Sequence, residues 1–236
     1  MVFRAGQNFN TMKYIFSTLL LFCLITAKAQ SSESRNLPNF DEITVSMGIE
    51  LVAQKGSENS IELEVSRIDL DDVITEVRGD RLYIKLTNGR HRGNRVKATL
   101  TYAEDLEEIN VSTSAKVNFR SILEVDDIQV KTSTSGLVEL EVKASSVDLG
   151  ATTSGTIRIE GISDEVDASA STGGYINALD LEANDGYARA NTGADVKLNV
   201  SDKLRASAGT GGTVRYAGKP RTDISTNTGG SVKRSR

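Results

Sequence analysis

Hydrophobic and polar residues alternate along most of the chain after residue 42. The first run places Ile43, Val45 and Leu51 on one side, with polar residues such as Thr44 and Glu50 between them. The same period of two recurs at residues 61–65, 82–86 and 96–102. This period predicts β-strands with one buried face, and no stretch of ten or more residues in this part shows the pattern of an amphipathic helix.

From residue 109 the alternation becomes a repeat of seven units. The units begin at Thr113, Thr134, Thr153, Thr172, Thr192, Thr210 and Thr228. Two residues further on stand Ala115, Gly136, Gly155, Gly174, Ala194, Gly212 and Gly230, spaced 21, 19, 19, 20, 18 and 18 residues apart. A β-branched residue follows each of these after two more positions. A period near 19 that keeps its phase predicts units that stack on one another.

Each unit predicts two short strands on either side of a tight corner. The small corner residues permit positive φ and close approach between neighbouring units. Units stacked about 4.7–4.9 Å apart would bury one continuous core. The predicted fold is therefore all-β: a right-handed parallel β-helix, or β-solenoid, with 18–21 residues per coil and an irregular N-terminal β region.

The repeated threonines and glycines are predicted to form a structural ladder along this column. Its members are Thr113, Thr134, Thr153, Thr172, Thr192, Thr210, Thr228, Gly136, Gly155, Gly174, Gly212 and Gly230. The threonines share the parity of the inward residues, so we expect their side chains to point inward. A hydroxyl that bonds to the next coil would contribute about 0.2–1 kcal/mol per pair.

The domain boundaries follow from changes in composition. Residues 1–29 read as a signal peptide, with Met12 as an alternative start, and residues 30–40 as a flexible leader. Residues 41–108 form the N-terminal β region, as coils or as a cap, and residues 109–236 the seven-repeat β-helix continuous with it.

The N-terminus predicts export. Lys13 precedes a short apolar run, and Ala27-Lys28-Ala29 resembles a cleavage site. Cys23, the only cysteine of the chain, lies inside that run, so the mature chain would contain no disulfide. Removal of residues 1–29 lowers the formal net charge from −4 to −7, which argues against nucleic-acid binding. We expect a periplasmic, cell-surface or secreted protein with no transmembrane segment after cleavage.

The sequence also resembles a known family. The segments ITVSMGIELVAQKGSENSIELEV and DRLYIKL, followed by Ser/Thr-Gly units such as GATTSGTIRIEG, are similar to the head GIN domain family of auto-transporter adhesins. The resemblance spans about residues 38–234. It implies an exported bacterial β-helix and supplies no catalytic residues.

Catalytic chemistry has little support in the sequence. Glycan-processing β-helices need clustered carboxylates, and the aspartates here are scattered without evident basic partners: Asp148, Asp167, Asp180, Asp185, Asp195 and Asp202. His91, the only histidine, lies among Arg90, Arg92 and Arg95 in a predicted basic loop, for which an anion site is the alternative. No cofactor or metal is expected.

Three functions remain from different classes. The first is an adhesin-like scaffold that binds a surface glycan or protein, for which the positions three before each corner form a polar strip: Ser112, Ser133, Thr152, Ser171, Asn191, Gly209 and Asn227. The second is a structural component of the periplasm or envelope. The third is a polysaccharide-processing enzyme. The ligand and the oligomeric state stay open.

Overall fold

The computed structural model describes residues 31–89 and 93–235. Within that part the chain is almost entirely β, with one short 3-10 turn at Leu70–Asp72. None of its helices is long and apolar enough to span a membrane. The strands are β1 Ser31–Asn36, β2 Glu42–Val45, β3 Glu50–Lys55, β4 Ser60–Ser66, β5 Val73–Arg78, β6 Arg81–Leu86, β7 Arg95–Tyr102, β8 Glu108–Val111, β9 Lys116–Phe119, β10 Leu123–Thr132, β11 Leu137–Ala151, β12 Thr156–Ala170, β13 Tyr175–Ala190, β14 Asp195–Ala208, β15 Thr213–Ala217, β16 Arg221–Thr226 and β17 Ser231–Arg234.

Residues 109–234 form a parallel β-solenoid, which confirms the predicted fold class. Each of β11, β12, β13 and β14 is one bent strand that runs through a whole coil, from one corner to the next. Neighbouring coils pair in parallel, so equivalent positions form straight columns. One inward column is Val138, Ile157, Ile176, Val196 and Val214.

The N-terminal β region contains both parallel coils and antiparallel strands. Strands β2 and β3 lie between β6 and β7 on one side and β8 and β9 on the other, all in parallel. Strand β4 is antiparallel to β7, and β5 is antiparallel to β6. Strands β2 and β3 are therefore an inner coil of the stack, because the chain later returns to add β6 and β7 outside them.

Residues 31–36 are not the flexible leader that the sequence suggested. They form β1, which pairs antiparallel with β4 from Ser31 opposite Val65 to Asn36 opposite Ser60. The guanidinium of Arg35 also donates to the Val73 carbonyl at 2.7 Å and to the Thr75 hydroxyl at 3.0 Å. The backbone of this polar segment thus pairs with the edge of β4 that would otherwise be free, although its side chains stay largely exposed.

One continuous hydrophobic core runs along the inside of the coils. Ile43, Ile109, Ile157 and Val196 are fully buried members of it. A fully buried aliphatic side chain of this size contributes about 1.5–3 kcal/mol relative to its exposed state. Alanines replace larger side chains in the later coils, for example at Ala168, Ala188 and Ala206, which also stack in register.

Bulges absorb the unequal repeat lengths. The pairing of β12 with β13 shifts between Arg158 and Glu160, and that of β13 with β14 shifts near Ala178 and Ala183. Each bulge lets an extra residue leave the ladder. The corner columns therefore stay in phase while the coil length changes.

Candidate ligand-binding grooves

The repeated Thr-x-Gly/Ala units are tight turns at one corner of every coil. All seven threonines have φ between 45° and 52°, and the residue after each also has positive φ. The corner closes with a hydrogen bond from the Gly or Ala N–H to the carbonyl three residues earlier, for example Gly155 to Thr152 at 2.8 Å. Two successive positive φ angles with this bond define a type I′ turn.

The expectation that the threonine side chains point inward is wrong. All seven are exposed, because two successive left-handed residues interrupt the strand alternation, which resumes in the same phase at the Gly or Ala position. Their backbones do connect the coils. The Ser135 N–H donates to the Thr153 carbonyl and the Ser154 N–H to the Thr172 carbonyl, both at 3.1 Å, and the other threonine carbonyls accept equivalent bonds.

The corner glycines allow the coils to approach one another. A Cβ on Gly174 would lie against the Ala151 carbonyl oxygen, and one on Gly212 against that of Ala190, both far inside van der Waals contact. These glycines therefore have a steric role. Ala115 and Ala194 fill the equivalent position in two coils and are buried there.

A groove runs beside the corner across five coils, and we call it the corner groove. It has a volume of about 600 Å³, within the range of small-ligand sites. Five residues of the predicted polar strip line it together: Ser112, Ser133, Thr152, Ser171 and Asn191. The structure thus brings the variable polar positions of successive repeats into one site.

The corner groove carries positive charge. Lys131 and Arg189 stand in the same column, separated by Gly150 and Ser169, and all four residues line the groove. None of the described residues that line it has a carboxylate. The sequence alone did not single out these two cations, because their column otherwise holds small residues.

The two cations are held differently. The Lys131 ammonium donates to Gln129 at 2.5 Å and to Glu108 at 3.2 Å, so a carboxylate partly neutralises it. The Arg189 guanidinium donates to the Tyr187 hydroxyl at 2.6 Å and lies 5.6 Å from the centre of that ring. In the part of the chain that the structure describes, Arg189 has no ion pair within 4 Å, although its charge acts on the nearby Asp167 carboxylate and lowers the pKa of that group.

A second groove lies about half a coil away from the corner and has the opposite charge. Its volume is about 890 Å³, and we call it the acidic groove. Lys143 is the single cation among the described residues that line it. Five carboxylates line it as well: Asp105, Glu124, Asp126, Asp164 and Glu182.

Three of the scattered aspartates do have basic partners, contrary to the interpretation of the sequence. Ion pairs across neighbouring coils join Asp185 to Lys203 at 3.8 Å, Asp195 to Arg215 at 2.5 Å and Asp202 to Arg221 at 2.9 Å. The partners are 18 to 20 residues apart in the sequence, which is the length of one coil. They come into contact only when neighbouring coils stack, so the sequence alone did not indicate the pairs.

Asp148 and Asp167 are direct neighbours in adjacent coils. Partial burial raises the pKa of Asp167 above its ordinary value, and the charge of Asp148 raises it further. The described residues contain no group of three or more His, Cys, Asp or Glu that could bind a metal. His91, Arg90 and Arg92 lie outside the described residues, as does the predicted signal peptide.

Stacked parallel coils, a filled core and ligand-sized grooves on the outside define the class of the protein as a parallel β-solenoid. The chain belongs to the family described as "Putative auto-transporter adhesin, head GIN domain", whose model matches residues 39–220. The resemblance seen in the sequence is thereby confirmed. No curated protein matches the chain.

Solved structures share the fold. A putative adhesin from Bacteroides fragilis superposes with a TM-score of 0.79 at 16% identity, over 89% of this chain and 98% of the other. A putative adhesin from Parabacteroides merdae gives 0.74 at 18% identity, with the same coverage of both chains. A putative lipid binding protein from Parabacteroides distasonis gives 0.71 at 19%, again with the same coverage. At these identities the likeness establishes the fold alone.

Proposed function

We propose that this protein is an exported, non-catalytic, adhesin-like scaffold that binds an extended surface ligand in the corner groove. The observation that carries the proposal is the alignment of Ser112, Ser133, Thr152, Ser171 and Asn191 along one groove. The partner is a glycan or a protein of a cell surface. The family and the adhesin-like structural neighbours support the adhesin character.

The solenoid suits this role because its backbone holds the polar groups at a fixed spacing. Parallel pairing places equivalent side chains about 4.7–4.9 Å apart along the groove. Side chains on a rigid sheet lose little freedom on binding, which favours affinity. A ligand that is itself an extended polymer would contact several coils at once.

The pairing of the carboxylates supports a non-catalytic role. Asp185, Asp195 and Asp202 each face a cation of a neighbouring coil, so their charges connect the coils. The alternative of a polysaccharide-processing enzyme predicts depolymerisation that a single aspartate substitution abolishes. Turnover of any member of a polysaccharide panel, lost in Asp167→Asn, would overturn the non-catalytic assignment.

The groove itself is tested by filling it. Thr152 lies in the middle of the groove and is exposed, so Thr152→Trp should fill the groove and leave the fold intact. Thr156→Trp is the matched control, since Thr156 lies on the outer face just beyond the same corner and does not line the groove. Binding to a panel of immobilised surface polysaccharides and to intact cells should be lost only in Thr152→Trp. Equal binding by both variants would contradict the proposal.

The location is tested on intact cells. The apolar run after Lys13 and the family both support export. Antibody labelling and protease shaving should reach the protein without disruption of the outer envelope. Protection until the envelope is broken would favour the alternative, a structural component of the periplasm.

A further inference from the structure

We infer that the ligand of the corner groove is an acidic polysaccharide, whose anionic groups pair with Arg189 and Lys131. The inference rests on the proposed function and adds the chemical class of the ligand. It combines a cavity, two cations in one column and the contrast between the two grooves.

The two grooves differ in the charge of the side chains that line them. The corner groove is lined by two cations and no described carboxylate, whereas the acidic groove is lined by five carboxylates and one lysine. Carboxylates reach the corner groove only from its border, where Glu108 accepts from Lys131 at 3.2 Å and Asp167 accepts from Ser169 at 3.4 Å among the described residues. A polyanion would be repelled from the acidic groove and attracted to the cations of the corner groove.

The two cations of the corner groove are separated along its length. Lys131, Gly150, Ser169 and Arg189 follow one another in register, so the two cations are three coil steps apart, or about 14 Å. Gly150 and Ser169 leave the space between the cations open for a chain. The adjoining column of Ser133, Thr152 and Ser171 offers hydroxyl groups along that chain.

Tyr187 holds the Arg189 guanidinium in one orientation before a ligand binds. The ring and hydroxyl of Tyr187 fix the Arg189 guanidinium on one side, which leaves its other N–H groups available. A planar guanidinium matches a carboxylate in a bidentate geometry. Its hydrogen-bond partner is a phenol hydroxyl and its interaction with Asp167 is longer than an ion pair, so the Arg189 guanidinium can still pair with an anionic group.

A polysaccharide fits this surface better than a protein or a nucleic acid. A stable protein interface needs large apolar side chains at its centre. Val111 and Ala170 are the aliphatic side chains among the described residues that line the groove, and both are buried. Single-stranded nucleic acid needs a series of aromatic platforms, and none of the described residues that line the groove is aromatic. The hydroxyl groups of the groove can form hydrogen bonds with sugar hydroxyls, while the two cations pair with acidic groups of the same polymer.

The test compares polygalacturonate with its fully methyl-esterified form, which has the same backbone without the charges. The wild-type protein should bind the acid form at least tenfold more tightly in biolayer interferometry, and high salt should weaken that binding. Arg189→Gln should weaken it about tenfold or more. Arg205→Gln, an exposed arginine one column away with Asp223 as its partner, should stay within twofold.

The outcomes separate this inference from the proposed function. Equal affinity for both forms, or equal loss in Arg189→Gln and Arg205→Gln, overturns the inference, and so does preferential binding of single-stranded DNA. If Thr152→Trp still abolishes binding to neutral glycans in that case, the proposed function stands without it. If Thr152→Trp and Thr156→Trp bind every probe alike, both the inference and the proposed function are wrong. Circular dichroism confirms that each variant is folded.

Discussion

The Arg189 guanidinium donates to the Tyr187 hydroxyl at 2.6 Å and lies 5.6 Å from the centre of the same ring. The two residues stand two positions apart on the outer face of β13, on the ridge between the corner groove and a neighbouring charged face. A tyrosine of one column thus orients a cation of the next.

Replacement of Tyr187 by phenylalanine tests this orientation. Tyr187→Phe keeps the ring and removes the hydroxyl that fixes Arg189. If Arg189 binds the acidic polymer, the affinity for polygalacturonate should fall about two- to tenfold, the effect of one hydrogen bond. Tyr175→Phe is the matched control, because Lys197 donates to the Tyr175 hydroxyl at 2.9 Å on a different face. A similar loss in both variants would contradict a specific role for Tyr187.

The corner glycines should be irreplaceable where a carbonyl of the neighbouring coil blocks a Cβ. Gly174→Ala should destabilise the fold by about 1–3 kcal/mol, because the new Cβ overlaps the Ala151 carbonyl and the coils must separate. Gly150→Ala is the control, since its Cβ would meet only the Lys131 side chain at 3.5 Å. Denaturant unfolding should separate the two variants, and equal midpoints would show that the corner can relax.

The corner also shows why part of the structure was hidden in the sequence. The repeat period and the inward columns could be predicted, because buried aliphatic residues recur with one phase. The direction of the threonines could not, since a β-branched residue is a rare occupant of the left-handed region and reads as a strand position. The interruption of the alternation follows from the φ angles.

Other features were hidden because they depend on contacts distant in sequence. Strand β1 has no hydrophobic alternation, and only the free edge of β4 explains its pairing. The polar strip of the corner groove was predicted from its position in the repeat. Its cations were not, because Lys131 and Arg189 lie along one groove only when four coils are stacked in register.

Thr132 offers a stabilising substitution. Its side chain is only 2% exposed, and its hydroxyl oxygen has no hydrogen-bond partner among the described residues. Most of the equivalent positions in the column are Val or Ala, for example Val111 and Ala151. Thr132→Val should raise the free energy of unfolding by about 1 kcal/mol, because it removes an unpaired buried polar group at almost constant shape.

The control for this change is Thr152→Val on the outer face, where Thr152 is exposed. It should alter the free energy of unfolding by less than about 0.5 kcal/mol. Urea unfolding of both variants gives the comparison. A loss of stability in Thr132→Val would mean that the hydroxyl does have a partner, such as a bound water.

The pair of Asp148 and Asp167 should make stability depend on pH. Burial and the Asp148 charge raise the pKa of Asp167 above its unfolded value, so folding is penalised while Asp167 is ionised. The penalty is complete above the folded pKa and disappears as the pH falls through that pKa to the ordinary aspartate value of 3.8. Asp167→Asn should therefore be more stable than the wild type at pH 7, with a difference that vanishes near pH 3. Nuclear magnetic resonance titration should also show a lower pKa for Asp167 in Asp148→Asn, and an unchanged or higher value would exclude Asp148 as a cause.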